Sequence, residues 1–541
     1  MSAKESTHSG IAKFGAVACG HPDTAAAAEE ILRDGGTAFD AALAALCASS
    51  VVEPVLSSFG GGGFLLAKGA DNHQTLPGRS RLYDFFVDTP RHRRPLDQID
   101  FTPITARFKT TEQEFHIGLG AMATPGQIRG LFTIHRELGS LPITRIMEPA
   151  IRLAREGTRL RQTEAYLFEI IQPIFLARAE SQAIFAKRPD CLLQEGNLLQ
   201  QPELAGFLDA LSHEGERLFY EGEIASQLIR DCRDQGGLLT LSDLSGYQVK
   251  IRKPFSLTYR NWQIDTNPPP SAGGILIAFA LALLQEESFA PSGFGTVSHL
   301  EKLSRIMALT NKARVESALH EAASEQEEKD AAQKLFSPPF LERYRREVAE
   351  HPHNPRGTTH ISVLDSKGNL ASLTLSNGEG CGYILPGSGI MMNNMLGEED
   401  LNPAGFHNWP TGSRISSMMA PSLARGHQGQ LAVLGSGGSN RIRTAILQVL
   451  INLIEYDMDA AAAVTAPRLH VERGLASIEG GFDADECKQF IATLLENKAC
   501  SHRLWPGRDL FFGGVHTLSR TGSGQVSAAG DPRRGGIAKV I

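Results

Sequence analysis

Apolar residues recur at helical spacing through much of the first two thirds of this chain and at alternating, strand-like spacing in its last third. An alanine-rich run from Asp23 to Asp34, closed by Gly35-Gly36, predicts a helix capped by Asp23 with a glycine stop. Thr37 and Asp40 have capping-box spacing ahead of Ala41-Ala42-Leu43-Ala44, so a second helix is expected to about Val52. Phe59-Gly60-Gly61-Gly62-Gly63-Phe64 reads as a tight turn entering a strand. Helical periodicity dominates from about Ser140 to Val249, with helices predicted over Pro142–Arg155, Gln201–Leu211 and Glu223–Gln235, the last stopped by Gly236-Gly237. The loop Asn267-Pro268-Pro269-Pro270-Ser271-Ala272-Gly273-Gly274 opens an apolar helix, Ile275 to Leu284. Residues 311–350 read as surface helix interrupted at Pro338-Pro339, and Pro352 and Pro355 break the chain just before Thr358.

From His360 onward the pattern becomes that of strands. Ile361–Asp365, the turn Ser366-Lys367-Gly368-Asn369 and Leu370–Leu375 predict a hairpin. Leu431–Leu434 predicts another strand, ended by Gly435-Ser436-Gly437-Gly438 and followed by a helix over Thr444–Glu455. There is no internal repeat and no linker that would separate independent domains. The order of elements predicts one α+β body whose halves share a sheet.

Composition narrows the partners. A hydrophobic fraction of 42% and a charged fraction of 21% over 541 residues describe an ordinary globular protein. A net charge of −7 argues against a nucleic-acid partner, and the basic cluster Arg91-His92-Arg93-Arg94 is short enough to be a solvated loop. The apolar stretch from Ala41 to Val52 is too short to cross a bilayer, so no membrane partner is expected. Seven scattered cysteines, odd in number and without a C-x-x-C pair, fit reduced thiols. With the polar start Met1–Ser6, they lead us to expect a cytoplasmic location.

Four segments carry candidate chemistry. Thr358-Thr359-His360 is an ordinary strand start if the chain stays whole. If the chain breaks between Gly357 and Thr358, Thr358 becomes an N-terminal residue bearing both a nucleophile and its own base. A free α-amine, with an ordinary pKa of about 8, can then accept the hydroxyl proton. Gly435-Ser436-Gly437-Gly438-Ser439-Asn440-Arg441 could be a phosphate cradle, a nest for an oxyanion, or a plain strand-to-helix turn. It fits neither nucleotide fingerprint, and no cofactor is expected. Arg414-Ile415-Ser416-Ser417 offers paired hydroxyls that could hold a carboxylate. His351-x-His353 with His360 lacks a carboxylate or cysteine at ligand spacing, so no metal is predicted.

Taken together, the chain resembles the γ-glutamyltransferase (γ-glutamyl transpeptidase) family of N-terminal-nucleophile hydrolases over nearly its whole length. The likeness lies in Ile31–Ala42, Gly60-Gly61-Gly62-Gly63-Phe64, Ala123-Thr124-Pro125-Gly126, Phe219-Tyr220-Glu221-Gly222 and Gly236-Gly237-Leu238-Leu239-Thr240. It continues in Pro268–Gly274, Gly389-Ile390-Met391-Met392-Asn393-Asn394 and Asp531-Pro532-Arg533, with the threonine, serine and glycine segments in the family's order. The resemblance implies a four-layer α/β/β/α sandwich and a precursor that cuts itself at Gly357–Thr358. The products would be a large subunit, 1–357, and a small one, 358–541, whose pairs could themselves dimerise. Thr358 would attack a γ-glutamyl amide, Gly437 and Gly438 would stabilise the oxyanion, and water or an amine would accept the acyl group. Ser416 and Ser417 would hold the substrate α-carboxylate, Glu398 would meet its α-amine, and Ser376 with Asn377 would stand where the family has Thr-x-Asn.

The chain departs from the family in ways that bear on substrate choice. The family's Asp-Phe-Arg-Glu segment reads Asp84-Phe85-Phe86-Val87, so the arginine that pairs with the α-carboxylate is a phenylalanine. Met395 replaces the Gln or Glu that follows the asparagine pair, Thr374 competes with Ser376 to orient the nucleophile, and the Glu398–Arg414 loop is short for a lid. These changes leave two alternatives open. One is an acylase of the same fold acting on a non-glutamyl amide, and the other is an uncut, non-catalytic homologue.

Overall fold

The computed structural model describes residues 6–107, 112–286, 288–317, 325–344, 358–402, 405–472, 474–496 and 500–541. Gly357, His351 and His353 lie outside them. Two seven-stranded antiparallel sheets form the centre. The first runs, edge to edge, through Lys250–Arg252, Ser80–Asp84, Gly62–Lys68, Leu370–Ser376, Thr359–Asp365, Gly15–Cys19 and Ile537–Val540. The second runs through Thr7–Gly10, Val526–Ala529, Gly514–Arg520, Leu431–Gly437, Ser422–Gly426, Trp262–Thr266 and Phe255–Tyr259. Each sheet takes strands from both sides of position 358, so the two halves share both sheets.

Strand alternation explains the layering. Ile361 and Val363 join Leu65, Leu373 and the helices Pro22–Arg33, Ala38–Val52 and Ile143–Glu156 in one buried cluster on the outer face of the first sheet. Their neighbours Leu364 and Leu66 point the other way, toward Val433 and Leu518 of the second sheet. That second sheet is covered on its far side by Ala272–Leu283, Val297–Glu316 and Arg441–Ile454. The result is the α/β/β/α sandwich.

The interface between the sheets is partly polar. Ser362 Oγ, on Thr359–Asp365, shares its donor between Val433 O and His516 O, each at 3.1 Å, and Ser372 Oγ donates to Leu434 O at 2.9 Å. These bonds cross between the sheets beside the apolar contacts and fix their relative register.

The predicted elements that fall on described residues are present with shifted ends; of the predicted 311–350 helix run, 318–324 and 345–350 lie outside them, as do Pro352 and Pro355. The hairpin pairs Thr359–Asp365 with Leu370–Ser376, and the Thr37–Asp40 capping box opens Ala38–Val52. The first helix is capped by His21 rather than Asp23: Pro22 occupies the first helical position and His21 Nδ1 accepts from Asp23 N at 3.1 Å. The strand at Leu431 does not stop at the glycines but continues through Gly437, paired opposite Gly514. The helix after it begins at Arg441, three residues before the predicted start.

Candidate active site

Thr358 stands immediately before the Thr359–Asp365 strand and is almost fully buried. It lines a cavity with about 620 Å³ of empty space, open solvent included, together with Ser376, Glu398, Ser416 and Ser417. Five residues picked from sequence, spread over sixty positions, therefore meet at one place. Phe86 and Met395, two of the departures from the family, line the same cavity, with Met418 and Met419.

The ladder decides between Ser376 and Thr374. Strand alternation puts Thr374 next to His360, whose Nδ1 lies 2.8 Å from Thr374 Oγ1 and whose Nε2 lies 3.0 Å from Ser362 Oγ. Burial holds the His360 imidazole pKa well below its ordinary value, so the ring is neutral and its two nitrogens are engaged between hydroxyls. Thr374 thus serves the interior, while Ser376, at the strand end, faces the cavity; its Oγ accepts from Gly378 N at 3.2 Å.

Gly437 lies hard against Thr358. A Cβ added to it would sit 1.9 Å from Thr358 O, so only glycine permits this approach of two backbones. The turn that follows is tight, with φ of 122° at Gly438 and 51° at Ser439, and Ser439 lines the cavity. Gly437 and Gly438 are not among the cavity-lining residues; Gly437 abuts the Thr358 carbonyl, and Gly438 lies against Gly513 and Arg534. Asn377 also sits behind the wall. It is fully buried, and among the described residues its side-chain amide has no hydrogen-bond partner.

The recognition wall is built from loops. Ser416 Oγ donates to Pro270 O at 2.7 Å, which commits its proton. Ser417 Oγ accepts from Met419 N at 3.0 Å, which leaves its proton available to a ligand. Phe86 is buried and stacks on Phe64, 5.5 Å between ring centroids. Arg414, although adjacent in sequence to the serines, turns away into Asp84 (2.8 Å), Asp88 (2.8 Å) and Tyr247 Oη (2.9 Å). Burial alone would lower its pKa, but the Asp84 and Asp88 carboxylates and the Tyr247 hydroxyl raise it on balance, and the pairing staples the Phe86 segment beside the serine loop. Arg414 therefore does not replace the absent arginine.

Charge enters the cavity from other elements. Arg314, on Val297–Glu316, lines it, as do Glu398 and Asp400. Asn402 Nδ2 donates to the carbonyls of Met395 (3.1 Å), Leu396 (3.2 Å) and Glu398 (2.7 Å), holding the acidic turn. In the same short loop, Phe406 and His407 pack on Phe101, at 5.3 and 4.6 Å between ring centroids.

Two antiparallel sheets packed face to face and flanked by helices define the fold class of the N-terminal-nucleophile hydrolases. The gamma-glutamyltranspeptidase family model matches residues 24–541, and the chain belongs to that family of enzymes. The chain is 29% identical to the glutathione hydrolase proenzyme of Escherichia coli, covering 96% of this chain and 91% of that one. It is 30% identical to the acylase ACY 1 proenzyme of a Pseudomonas species, covering 88% and 86%. In fold it is similar to a cephalosporin acylase from Bacillus halodurans, with a TM-score of 0.79, 22% identity, and 98% and 96% of the two chains covered.

Sequence reasoning missed four charged residues at or beside the site: Arg314, Asp400, Glu53 and Arg534. Arg314 gave no signal within its helical run. Glu53 gave a weak one, as an acid just past a largely apolar helix. Its carboxylate accepts from Thr359 Oγ1 (3.0 Å) and Thr24 Oγ1 (3.2 Å), and burial pushes its pKa up to about 7. Arg534 follows the recognised Asp531-Pro532-Arg533 and reaches Thr358 O, with Nη1 donating at 3.4 Å.

Proposed function

We propose that the chain is a self-processing amidohydrolase and acyltransferase whose nucleophile is Thr358. The observation that carries this reading is the placement of Thr358 in the cavity wall with Ser376, Ser417 and Glu398, its carbonyl pressed on Gly437. In the precursor, Thr358 Oγ attacks the Gly357 carbonyl, the amide becomes an ester, and water releases Gly357 as a carboxylate and Thr358 as a free amine. Two of the relatives are themselves proenzymes, which supports a cut.

In turnover, the α-amine takes the Thr358 hydroxyl proton as Oγ attacks the amide carbon of a γ-glutamyl or related acyl amide. The oxyanion develops toward the Gly437–Gly438 turn, each donor there being worth about 3 kcal/mol. The ammonium then returns the proton to the departing amine, and water or an amine acceptor resolves the ester. Ser417 and Glu398 would hold the acyl end, and Ser376 would orient the nucleophile. Seven cysteines, none of them in a disulfide, support a reducing compartment for this chemistry.

A second reading concerns the acyl group. Phe86 and Met395 both line the cavity, so its wall is more apolar than a glutamyl end requires, and a non-glutamyl acyl amide fits it as the donor. Denaturing electrophoresis with N-terminal sequencing tests the cut: two bands, one beginning at Thr358, are expected, and a single uncut band with full activity rules the mechanism out. Turnover of γ-glutamyl-p-nitroanilide compared with glutaryl and simple acyl anilides separates the two donors.

A further inference from the structure

Arg534 occupies a position that the proposed chemistry does not yet use. It closes the short turn Pro532–Arg534, capped by Asp531, whose carboxylate accepts from Arg533 N at 3.0 Å. The side chain is buried, and its stem lies on Gly514, where an added Cβ would come within 2.4 Å of Arg534 Cδ. From there the guanidinium fork spans two parts of the site. Nη1 donates to Thr358 O, and a Cβ at Gly437 would lie 3.3 Å from Nη1 while one at Gly438 would lie 3.3 Å from Nη2. The same cation therefore touches the nucleophile's carbonyl and flanks the glycine turn toward which the oxyanion develops.

Its surroundings keep it charged and water-poor. Asp531, Glu379, Glu53 and Asp509 are the anions whose fields reach it, and burial lowers its pKa to about 10, still a cation near neutral pH. On its other side Arg534 joins Glu53 in lining a second cavity, with about 440 Å³ of empty space, against Leu167, Phe168 and Leu510. A fixed positive charge in such a site acts on a developing negative charge far more strongly than it would in water, and it needs no rearrangement during the reaction.

We propose that Arg534 is a positioning residue for amide attack: it fixes the Thr358 carbonyl and holds one buried positive charge beside the Gly437–Gly438 turn. This rests on Thr358 being the nucleophile.

The test uses the full-length chain carrying Arg534→Ala and Arg534→Lys, with Thr358→Ala in parallel. Self-cleavage, melting temperature, kcat and KM on an acyl anilide are read, with and without added guanidinium chloride, and urea as the control. For Arg534→Ala, kcat falls about a hundredfold while KM moves less than about threefold, and guanidinium, but not urea, restores part of kcat through the second cavity. Arg534→Lys, which keeps the charge but loses the fork, sits between the two. An alanine variant with wild-type kcat, or a loss confined to KM, overturns the proposal. So does a loss that neither guanidinium nor lysine recovers. If the alanine variant does not fold, Arg534→Lys decides alone: kcat lowered about tenfold at unchanged melting temperature supports the role, and wild-type kcat overturns it. An inactive wild type or an active Thr358→Ala would instead sink the nucleophile assignment. A dead Thr358→Ala beside an unaffected Arg534→Ala sinks only the positioning role.

Discussion

The two walls of the cavity are made differently. On the attack side, Thr358 precedes one strand, Ser376 ends its neighbour, and Gly437 ends a strand of the facing sheet. Their relative positions are set by backbone ladders and by buried bonds such as Ser362 Oγ to Val433 O. On the acyl side, Phe86 follows a strand, Met395 sits in a one-turn helix, and Ser416 to Met419 form a loop braced on Pro270 and Ser271. A ladder tolerates little displacement, whereas loop side chains can be exchanged without moving the ladder. Under the proposed roles, the scaffold fixes the reaction and a few loop residues choose the acyl group.

Breaking the attack side should cost most. Thr358→Ala is expected to abolish both cleavage and turnover, read on a denaturing gel and in an anilide assay; a variant that still splits at this bond would overturn the mechanism. Gly437→Ala comes next. Its methyl would meet Thr358 O at 1.9 Å, so kcat should fall by about a hundredfold or more, with the backbone forced apart at the nucleophile. A kcat near wild type would mean that this contact plays no part.

Changing the acyl side should redirect rather than abolish. Phe86→Arg restores a guanidinium near Ser417, and the ratio of kcat/KM for γ-glutamyl over simple acyl anilides should rise by about tenfold, with self-cleavage intact. An unchanged ratio would remove Phe86 from substrate choice.

The smallest effect is on stability. Burial lifts the Glu53 carboxyl to about 7, with Arg161 pulling it down, Glu164 pushing it up and donors from Thr359 and Thr24 favouring its charge. Arg534 and Cys19 also face it. Unfolded, the group returns to about 4.3, so between roughly pH 4.5 and 7 the folded state holds more protons than the unfolded one. Stability contributed by Glu53 is full below that window and is lost as pH rises through it, by on the order of 3 kcal/mol. Melting curves from pH 5 to 8 should slope less for Glu53→Gln than for wild type, and equal slopes would remove Glu53 as the titrating group.

What the sequence made legible follows the same division. Local signals gave the capping box at Thr37, the glycine stop after Gln235 and the hairpin around Gly368, because short-range sterics and caps decide them. The sequence misplaced the end of the Leu431 strand, because Gly435 and Gly437 read as breakers. In the structure these glycines are strand residues pressed on His360 and Thr358, where a side chain would collide. Choosing Ser376 over Thr374 needed the ladder, which assigns alternate residues to opposite faces. Glu53 and Arg534 lie 306 and 176 positions from the threonines they bond, a separation that no local pattern reports.

The interleaving of both halves in both sheets has a consequence for time and concentration. An intact chain folds as a single molecule, at a rate indifferent to dilution. A chain cut before Thr358 would leave two polypeptides, neither holding a complete sheet, so recovery from denaturation would require them to find each other and would fail as they are diluted. Assembly is thus cheap only once, before the cut, and any self-cleavage has to follow folding.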